Sequence, residues 1–384
     1  MSIGFRLKQY IKSYIQNKYL PSVYKKAVRK NKVDKDLIIM ADMHSNGIPY
    51  SMKAVYKELV NRGKQPVVYC RDIKDMSMLE SLKFMTNFMK DYSAAGYVYI
   101  CSYFLPVSSC EKRPETKVIQ LWHSGGLMKK MGYDTKDDIP KDYKGNVTAN
   151  YDLVTVSAPV CVPVWQQALG LPEGITKSLG LARTDILFNK KWQQKCKDTF
   201  YELYPDAKGK KIVLYAPTFS GNAAYPKCPG LDMGLEEKFK ELKDYYLIIR
   251  PHPHMKRQYP QYFDERAKKL PTERLLPVAD IMLTDYSSTL FDYSIYQKPF
   301  ILFCPDLDEY RKERGLYVDI DSFPAPVCRT ADEVIKAIKE DDRFTSESGE
   351  YKKELQEFYQ KYMGSCDGKA VARILEAAEK LTND

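Results

Sequence analysis

The chain reads as an α/β protein made of two Rossmann-like halves facing each other, and three observations predict it. Its 384 residues exceed what one hydrophobic core usually organises, so two domains of ordinary size are expected. From Asp36 onward short apolar runs alternate with helix-like stretches, the pattern of βαβ units on a parallel sheet. The alternation occurs twice, in two series separated by a charged stretch over residues 190–197.

Residues 1–33 precede the first series and form a basic, amphipathic segment. No acidic residue occurs before Asp34, while Arg6, Lys8, Lys12, Lys18, Lys25, Lys26, Arg29, Lys30 and Lys32 are basic. Ile3, Phe5, Leu7, Tyr10, Ile11, Tyr14, Ile15, Tyr19 and Leu20 fall among them at roughly helical spacing. Such a segment can lie in an anionic membrane surface, apolar side down and lysines toward the headgroups. A helix packed on the next domain, or a nucleic-acid patch, would use the same composition; the membrane surface is the expectation taken forward, with no nucleic acid as partner. Pro21 is expected to divide the segment into two short helices.

The first series places strands at residues 37–41, 66–71, 97–102, 118–122 and 153–157, with helices such as 51–62 and 163–169, in an N-terminal half spanning 34–190. The second places strands at 212–217, 246–251, 281–284 and 299–304, then helices near 331–340 and 351–362, in a C-terminal half spanning 191–365. Residues 366–384 read as a final helix able to cross back to the first half. Ligands of such halves collect beyond the carboxyl ends of the strands, so the residues there carry the functional expectations.

Composition narrows the class. Apolar residues at 44%, charged residues at 29% and aromatic residues at 12% exclude a disordered chain. The nine cysteines are odd in number, scattered and never spaced as a CxxC pair, which fits a reducing compartment and neither a disulfide framework nor a thiolate zinc site. No apolar run approaches the length of a membrane span and no cleavable signal is evident, so a cytoplasmic protein on the inner membrane face is expected.

All four histidines, His44, His123, His252 and His254, follow or flank strand ends. Histidine titrates near neutrality, which makes it the commonest general acid or base. His123 ends an apolar run and is followed by Ser124, Gly125 and Gly126, a turn whose glycines could let backbone approach a ligand closely. His252 and His254 follow Leu247-Ile-Ile-Arg-Pro; a metal site would need further ligands that the sequence does not supply, so an acid or phosphate-binding role is expected and no metal. Asp285 ends the run 281–284, and Ser287 and Ser288 stand where the next helix begins, either as a phosphate site or as simple caps. Arg250 and Lys298 flank these motifs as candidate diphosphate ligands. His44 lines either an acceptor cleft or a surface turn, and Arg183 either reaches the donor or forms a salt bridge.

These motifs, in this order, resemble the CDP-glycerol glycerophosphotransferases that build teichoic acids and some capsule polymers. The family's Trp-His-Gly-Thr-Pro-Leu-Lys-like element is matched by Trp122 to Lys129, and its Tyr-Ala-Pro-Thr by Tyr215 to Thr218. Its Arg-x-His-Pro is matched by Arg250 to Pro253, and its Asp-Tyr-Ser-Ser-x-x-Phe-Asp-Tyr by Asp285 to Tyr293. Lys298-Pro299, Arg314 to Asp319 and Asp367 to Ala370 continue the likeness, which covers about residues 36–373. One departure stands out: the family's Gly-Thr-Pro after the first histidine is Ser124-Gly125-Gly126 here.

The resemblance implies a GT-B fold without cofactor, with a CDP-glycerol or CDP-ribitol donor held by the C-terminal half. It implies a polyprenyl-diphosphate-linked saccharide acceptor entering from the N-terminal half, and a length similar to primases. On this reading His123 is the base, His252 assists the leaving group, and Arg250, Asp285, Ser287, Ser288, Thr218, Arg183 and Lys298 form the donor side. His44, Ser124, Gly125 and Gly126 form the acceptor side. A nucleotide-sugar transferase or epimerase of the same fold, or a nucleotide-binding subunit without turnover, would share the architecture.

Overall fold

The computed structural model describes residues 11, 13–135, 138–139, 145–221, 226–345 and 349–381. Of the leader, Ile3, Phe5, Leu7 and Tyr10, with Arg6, Lys8 and Lys12, lie outside the described residues. From Ile15 the chain is helical: Ile15–Tyr19 winds as a wide π-turn that runs directly into the helix Leu20–Val28. Pro21 therefore does not divide the segment. It stands just after the wide π-turn, and Tyr14, Tyr19 and Leu20 all keep right-handed helical angles, so the helical path continues through it. Leu20 and Tyr24 are buried in the core, and the Arg113 guanidinium donates to the carbonyls of Val28 and Asn31. Lys18, Lys25, Lys26, Arg29 and Lys30 stay exposed.

Two parallel sheets follow. The first comprises β1 (Asp34–Asp42), β2 (Val67–Cys70), β3 (Ala95–Ile100), β4 (Lys117–Gln120), β5 (Leu153–Thr155) and β6 (Thr176–Lys177), in the order β2-β1-β3-β4-β5-β6. Ile39 of β1 sits between Val67 and Val98 of its two neighbours. The second comprises β7 (Lys211–Tyr215), β8 (Tyr245–Ile249), β9 (Ile281–Thr284), β10 (Phe300–Phe303) and β11 (Val327–Cys328), in the order β11-β10-β9-β7-β8. β9 and β10 are buried at every position, which is why they read as near-continuous apolar runs, Thr284 alone being polar. Residues 190–197, read as a separator, are the first turns of the helix Lys190–Leu203.

Each sheet reverses its winding beside its first strand, between β1 and β3 and between β7 and β9. Crevices at the carboxyl ends of such switch points are where ligands of parallel sheets bind. The halves share one apolar cluster that includes Phe88, Trp122, Phe291 and Phe358. After the helix Gly349–Met363, whose Phe358 lies parallel to Phe291 at 5.8 Å, the chain crosses back. Ser157 Oγ donates to the carbonyl of Tyr362 at 2.7 Å, and the final helix Ala370–Lys380 packs Val371, Ile374 and Leu375 against Ile38, Met40 and Leu59. A second tie pairs Lys129 with Leu316 as an antiparallel bridge, flanked by Lys130 N to Gly315 O at 3.0 Å and Tyr317 N to Met128 O at 2.8 Å.

Candidate active site

His123 is aimed by a strained turn. After β4, Trp122 takes a left-handed backbone angle (φ 54°), costly for a bulky residue and sustained here by three contacts. Its N–H donates to Gln120 Oε1 at 3.0 Å, its indole N–H donates to Ser124 Oγ at 3.0 Å, and its ring stacks on the His123 imidazole at 5.0 Å. His123 Nδ1 lies 2.9 Å from the carbonyl of Cys101, just past β3. A carbonyl only accepts, so Nδ1 carries the proton and Nε2 presents a lone pair. His123 is an exposed residue, although protein atoms crowd around its ring. That enclosure, helped by the charges of Arg183 and Lys129, holds its pKa below the ordinary histidine value.

Asp42 closes β1 at the same switch point. It is buried, and accepts from Ser102 Oγ at 2.6 Å and from the His44 N–H at 3.0 Å. The His44 ring is exposed beyond it.

In the second half, the His252 N–H donates to Pro217 O at 3.1 Å, fixing the loop after β8 to the loop after β7. His252 Nδ1 accepts from the His254 N–H at 3.3 Å, so a neutral His252 carries its proton on Nε2, the opposite tautomer to His123. Burial pushes His252 down to about 3, and the charges of His254, Lys129 and His123 act in the same direction. His123 and His252, one from each half, are thus within electrostatic reach of each other. Phe219 packs edge-on against both His252 and His254, at 4.9 and 5.3 Å.

Asp285 sits at the second switch point, after β9. Both of its oxygens accept from the Thr218 N–H, at 2.8 and 2.9 Å, which ties the ends of β7 and β9 together. Burial raises its pKa to about 7, opposed by the Thr218 hydrogen bond and by Lys129. Ser287 Oγ accepts from the Thr289 N–H at 3.3 Å, while Ser288, at the cap of the helix Thr289–Ser294, makes no side-chain cap bond.

Several expected site residues point elsewhere. Arg183 grips Asp292 with two contacts of 2.6 and 2.8 Å, both side chains at most 10% exposed, so the salt bridge weighed as its alternative is present. Two nitrogens of the Arg250 guanidinium donate to Ile249 O (2.9 Å) and Tyr204 Oη (2.7 Å), while its buried Nε has no partner among the described residues. Lys298 donates to Ala279 O at 2.6 Å, at the amino ends of β9 and β10, the wrong edge of the sheet for a donor diphosphate. Gly125 and Gly126 are buried and allow a close approach to protein instead of ligand: a Cβ on Gly126 (φ 63°) would lie 2.3 Å from Phe291, and one on Gly125 2.8 Å from Met363.

Sequence reasoning passed over residues that the crevice does contain. Lys129, which closes the stretch matched from Trp122, is partly buried, its pKa lowered by that burial, within reach of His123, His252 and Asp285. Asp42, Lys74 and Phe219 were not singled out; an acidic residue ending an apolar strand was the available signal for Asp42. Among the described residues no group of three or more His, Cys, Asp or Glu could hold a metal ion.

Two parallel sheets, each with an imidazole beyond the carboxyl ends of its strands, define an α/β protein of the class whose ligands collect at such strand ends. The chain belongs to the CDP-glycerol:poly(glycerophosphate) glycerophosphotransferase family, whose model matches residues 22–380. The teichoic acid ribitol-phosphate primase of Bacillus spizizenii is 30% identical over 359 residues, 90% of this chain and 91% of that protein. The teichoic acid glycerol-phosphate primase of Bacillus subtilis is 31% identical over 253 residues, 62% of this chain and 63% of that protein. The chain spans only 55% of the B. spizizenii teichoic acid poly(ribitol-phosphate) polymerase, at 28% identity. In fold it is similar to the wall teichoic acid polymerase TagF, with a TM-score of 0.74, 20% identity, and coverage of 100% of this chain and 99% of that one.

Proposed function

We propose that this chain transfers glycerol phosphate or ribitol phosphate from a CDP-activated donor to a lipid-linked saccharide, releasing CMP, in teichoic acid or capsule-type polymer synthesis. The two halves act as a GT-B pair, the first taking the acceptor and the second the donor. The observation that carries this reading is the pair of opposed tautomers: His123 Nε2 is free to accept a proton, and His252 Nε2–H is free to donate a hydrogen bond.

In the proposed step the acceptor hydroxyl gives its proton to His123 Nε2 and attacks the phosphorus that bears the polyol. The new P–O bond forms as the bond from that phosphorus to the CMP oxygen breaks. The N–H of His252 and the ammonium of Lys129 meet the charge that develops on the departing phosphate, where preorganised donors are most effective. Ser287 and Ser288 offer hydroxyls to the diphosphate, and Asp285 holds the two loops in register. The exposed lysines of the helix Leu20–Val28 support docking on an anionic membrane as a peripheral protein of the inner face; no described helix is long and apolar enough to cross a membrane.

The test mixes purified protein with CDP-glycerol or CDP-ribitol and a lipid-linked saccharide, and follows CMP and product mass. His123→Gln is expected to lower kcat by roughly 10²–10⁴-fold, the usual contribution of a general base. Because His123 titrates below the ordinary histidine value, wild-type kcat should stay level down to pH 6.5 and fall only in more acid solution. A folded His123→Gln protein with undiminished turnover would sink the base assignment, and absence of CMP with either donor would sink the transfer itself.

A further inference from the structure

Gln120, the last residue of β4, stands where the sheet ladder stops and the turn to His123 begins. Up to that point β3 and β4 pair regularly, Tyr99 with Ile119 and Ile100 with Gln120, and Leu121 N donates to Ile100 O at 2.8 Å. Continued at the period of two that a parallel ladder keeps, the next bond would run from the His123 N–H to Ser102 O. Trp122 takes a left-handed angle instead (φ 54°), and the chain leaves the strand path. The Gln120 side chain, fully buried, supplies what the backbone withdraws. Nε2 donates to Ser102 O at 3.0 Å and to Tyr151 Oη at 3.3 Å, while Oε1 accepts from the Trp122 N–H at 3.0 Å. The amide can sit only this way round, because a carbonyl only accepts and a peptide N–H only donates. An ionised glutamate of the same shape would have no donor for Ser102, and asparagine is a methylene shorter.

Both groups that the amide holds adjoin atoms that aim the imidazole. Ser102 follows Cys101, whose carbonyl meets His123 Nδ1 at 2.9 Å. Trp122 precedes His123 and stacks on its ring at 5.0 Å, and Tyr103, on the other clamped segment, packs edge-on against Trp122 at 5.2 Å. We propose that Gln120 is a positioning residue for the reaction: one buried amide fixes both the carbonyl that sets the His123 tautomer and the turn that sets its direction. The proposal rests on His123 as the base in the transferase reading above. A neutral carbonyl stands behind this imidazole, where a catalytic histidine often has a carboxylate. It brings no full charge to hold the ring, so its own placement decides how well the ring is held.

The experiment compares Gln120→Met and Gln120→Asn with wild type by two readings. CMP release gives kcat and the KM for CDP-glycerol or CDP-ribitol, and nitrogen NMR of histidine-labelled protein gives the imidazole tautomers. The chain has four histidines, so the His123 signals are assigned by their loss in His123→Gln. The expected result is a fall in kcat of roughly 10–100-fold, the scale of loss when a reacting group is displaced by about 1 Å, with donor KM within about twofold of wild type. His123 should pass from the Nδ1–H form to a mixture of both tautomers. An unmixed Nδ1–H signal in the folded variants would overturn the proposal whatever their kcat, and so would wild-type turnover beside a mixed signal. A kcat loss that only tracks the folded fraction in urea would overturn it in favour of a merely structural role. Should Gln120→Met fail to fold, Gln120→Asn, which keeps an amide in the core, decides by the same readings. If wild-type protein releases no CMP with either donor, the transferase reading fails, and the tautomer spectra still decide whether Gln120 holds the imidazole.

Discussion

Replacing Arg183 with Met separates two roles that the sequence left open. Arg183 joins the first half to Asp292 of the second through contacts of 2.6 and 2.8 Å, with side chains only 10% and 4% exposed. Solvent therefore screens the pair little. Removing the cation leaves a buried carboxylate without its counter-charge, a change that typically costs about 3–5 kcal/mol. The carboxylate has one escape, which is to take up a proton. Burial already raises the pKa of Asp292, and Arg183 is the strongest opposing influence, so the substitution raises it further. In the variant, folded Asp292 then holds a proton at pH values where the unfolded chain has released it. Its stability deficit should be largest near pH 8 and shrink as the solution is made acid through the raised pKa. Urea unfolding at pH 8 and pH 5.5 measures this; for a chain of this size, several kcal/mol moves the midpoint by roughly 1 M. The double variant Arg183→Met/Asp292→Leu should recover most of the loss, because the orphaned charge is gone. Wild-type stability in Arg183→Met, together with a raised KM for the CDP donor, would refute the reasoning and return Arg183 to the donor site.

Two further substitutions test the geometry around the crevice. Gly126→Ala combines a left-handed backbone angle with a Cβ 2.3 Å from Phe291, and should destabilise the protein by about 2–4 kcal/mol, read by urea unfolding. Lys298→Met should leave donor KM unchanged and cost about 1 kcal/mol of stability, since its ammonium serves the Ala279 carbonyl at the opposite edge of the sheet; a donor KM raised several-fold would contradict that placement.

The second sheet was legible because its central strands are buried on both faces: Ile281–Thr284 and Phe300–Phe303 are near-continuous apolar runs with nothing helical about their length. β6 and β11 were not, since two residues carry no period. Pro21 misled because the helical path runs through it, just after the wide π-turn Ile15–Tyr19, and no letter pattern marks such a turn. His123 and His252 were legible as the polar residues that terminate apolar strands, where chain direction alone fixes which edge of the sheet they reach. The same rule, applied strictly, places Lys298 at the other edge, because it precedes its strand. Arg250 obeys the rule and still donates to Tyr204, a choice that packing makes and letter order does not record.

The glycines show how the sequence constrains chemistry indirectly. Gly125 and Gly126 were expected to admit a ligand, yet what they admit is Met363 and Phe291. Phe291 lies on the helix that begins directly after Asp285-Tyr-Ser-Ser, so the turn that carries His123 rests on the element that carries the serines. Three residues later, Lys129 is pinned by its bridge to Leu316. Each of these contacts, like the Arg183–Asp292 pair, joins the two halves at the level of the crevice floor. A base and a hydrogen-bond donor on separate halves would otherwise have to be brought into register anew for each donor bound, at an entropic cost. With the floor tied, the relative placement of His123 and His252 is a property of the folded chain, and binding energy remains for orienting the acceptor hydroxyl. The departure Ser124-Gly125-Gly126 is then best understood as a packing solution between the halves, one that the proposed base His123 does not contradict.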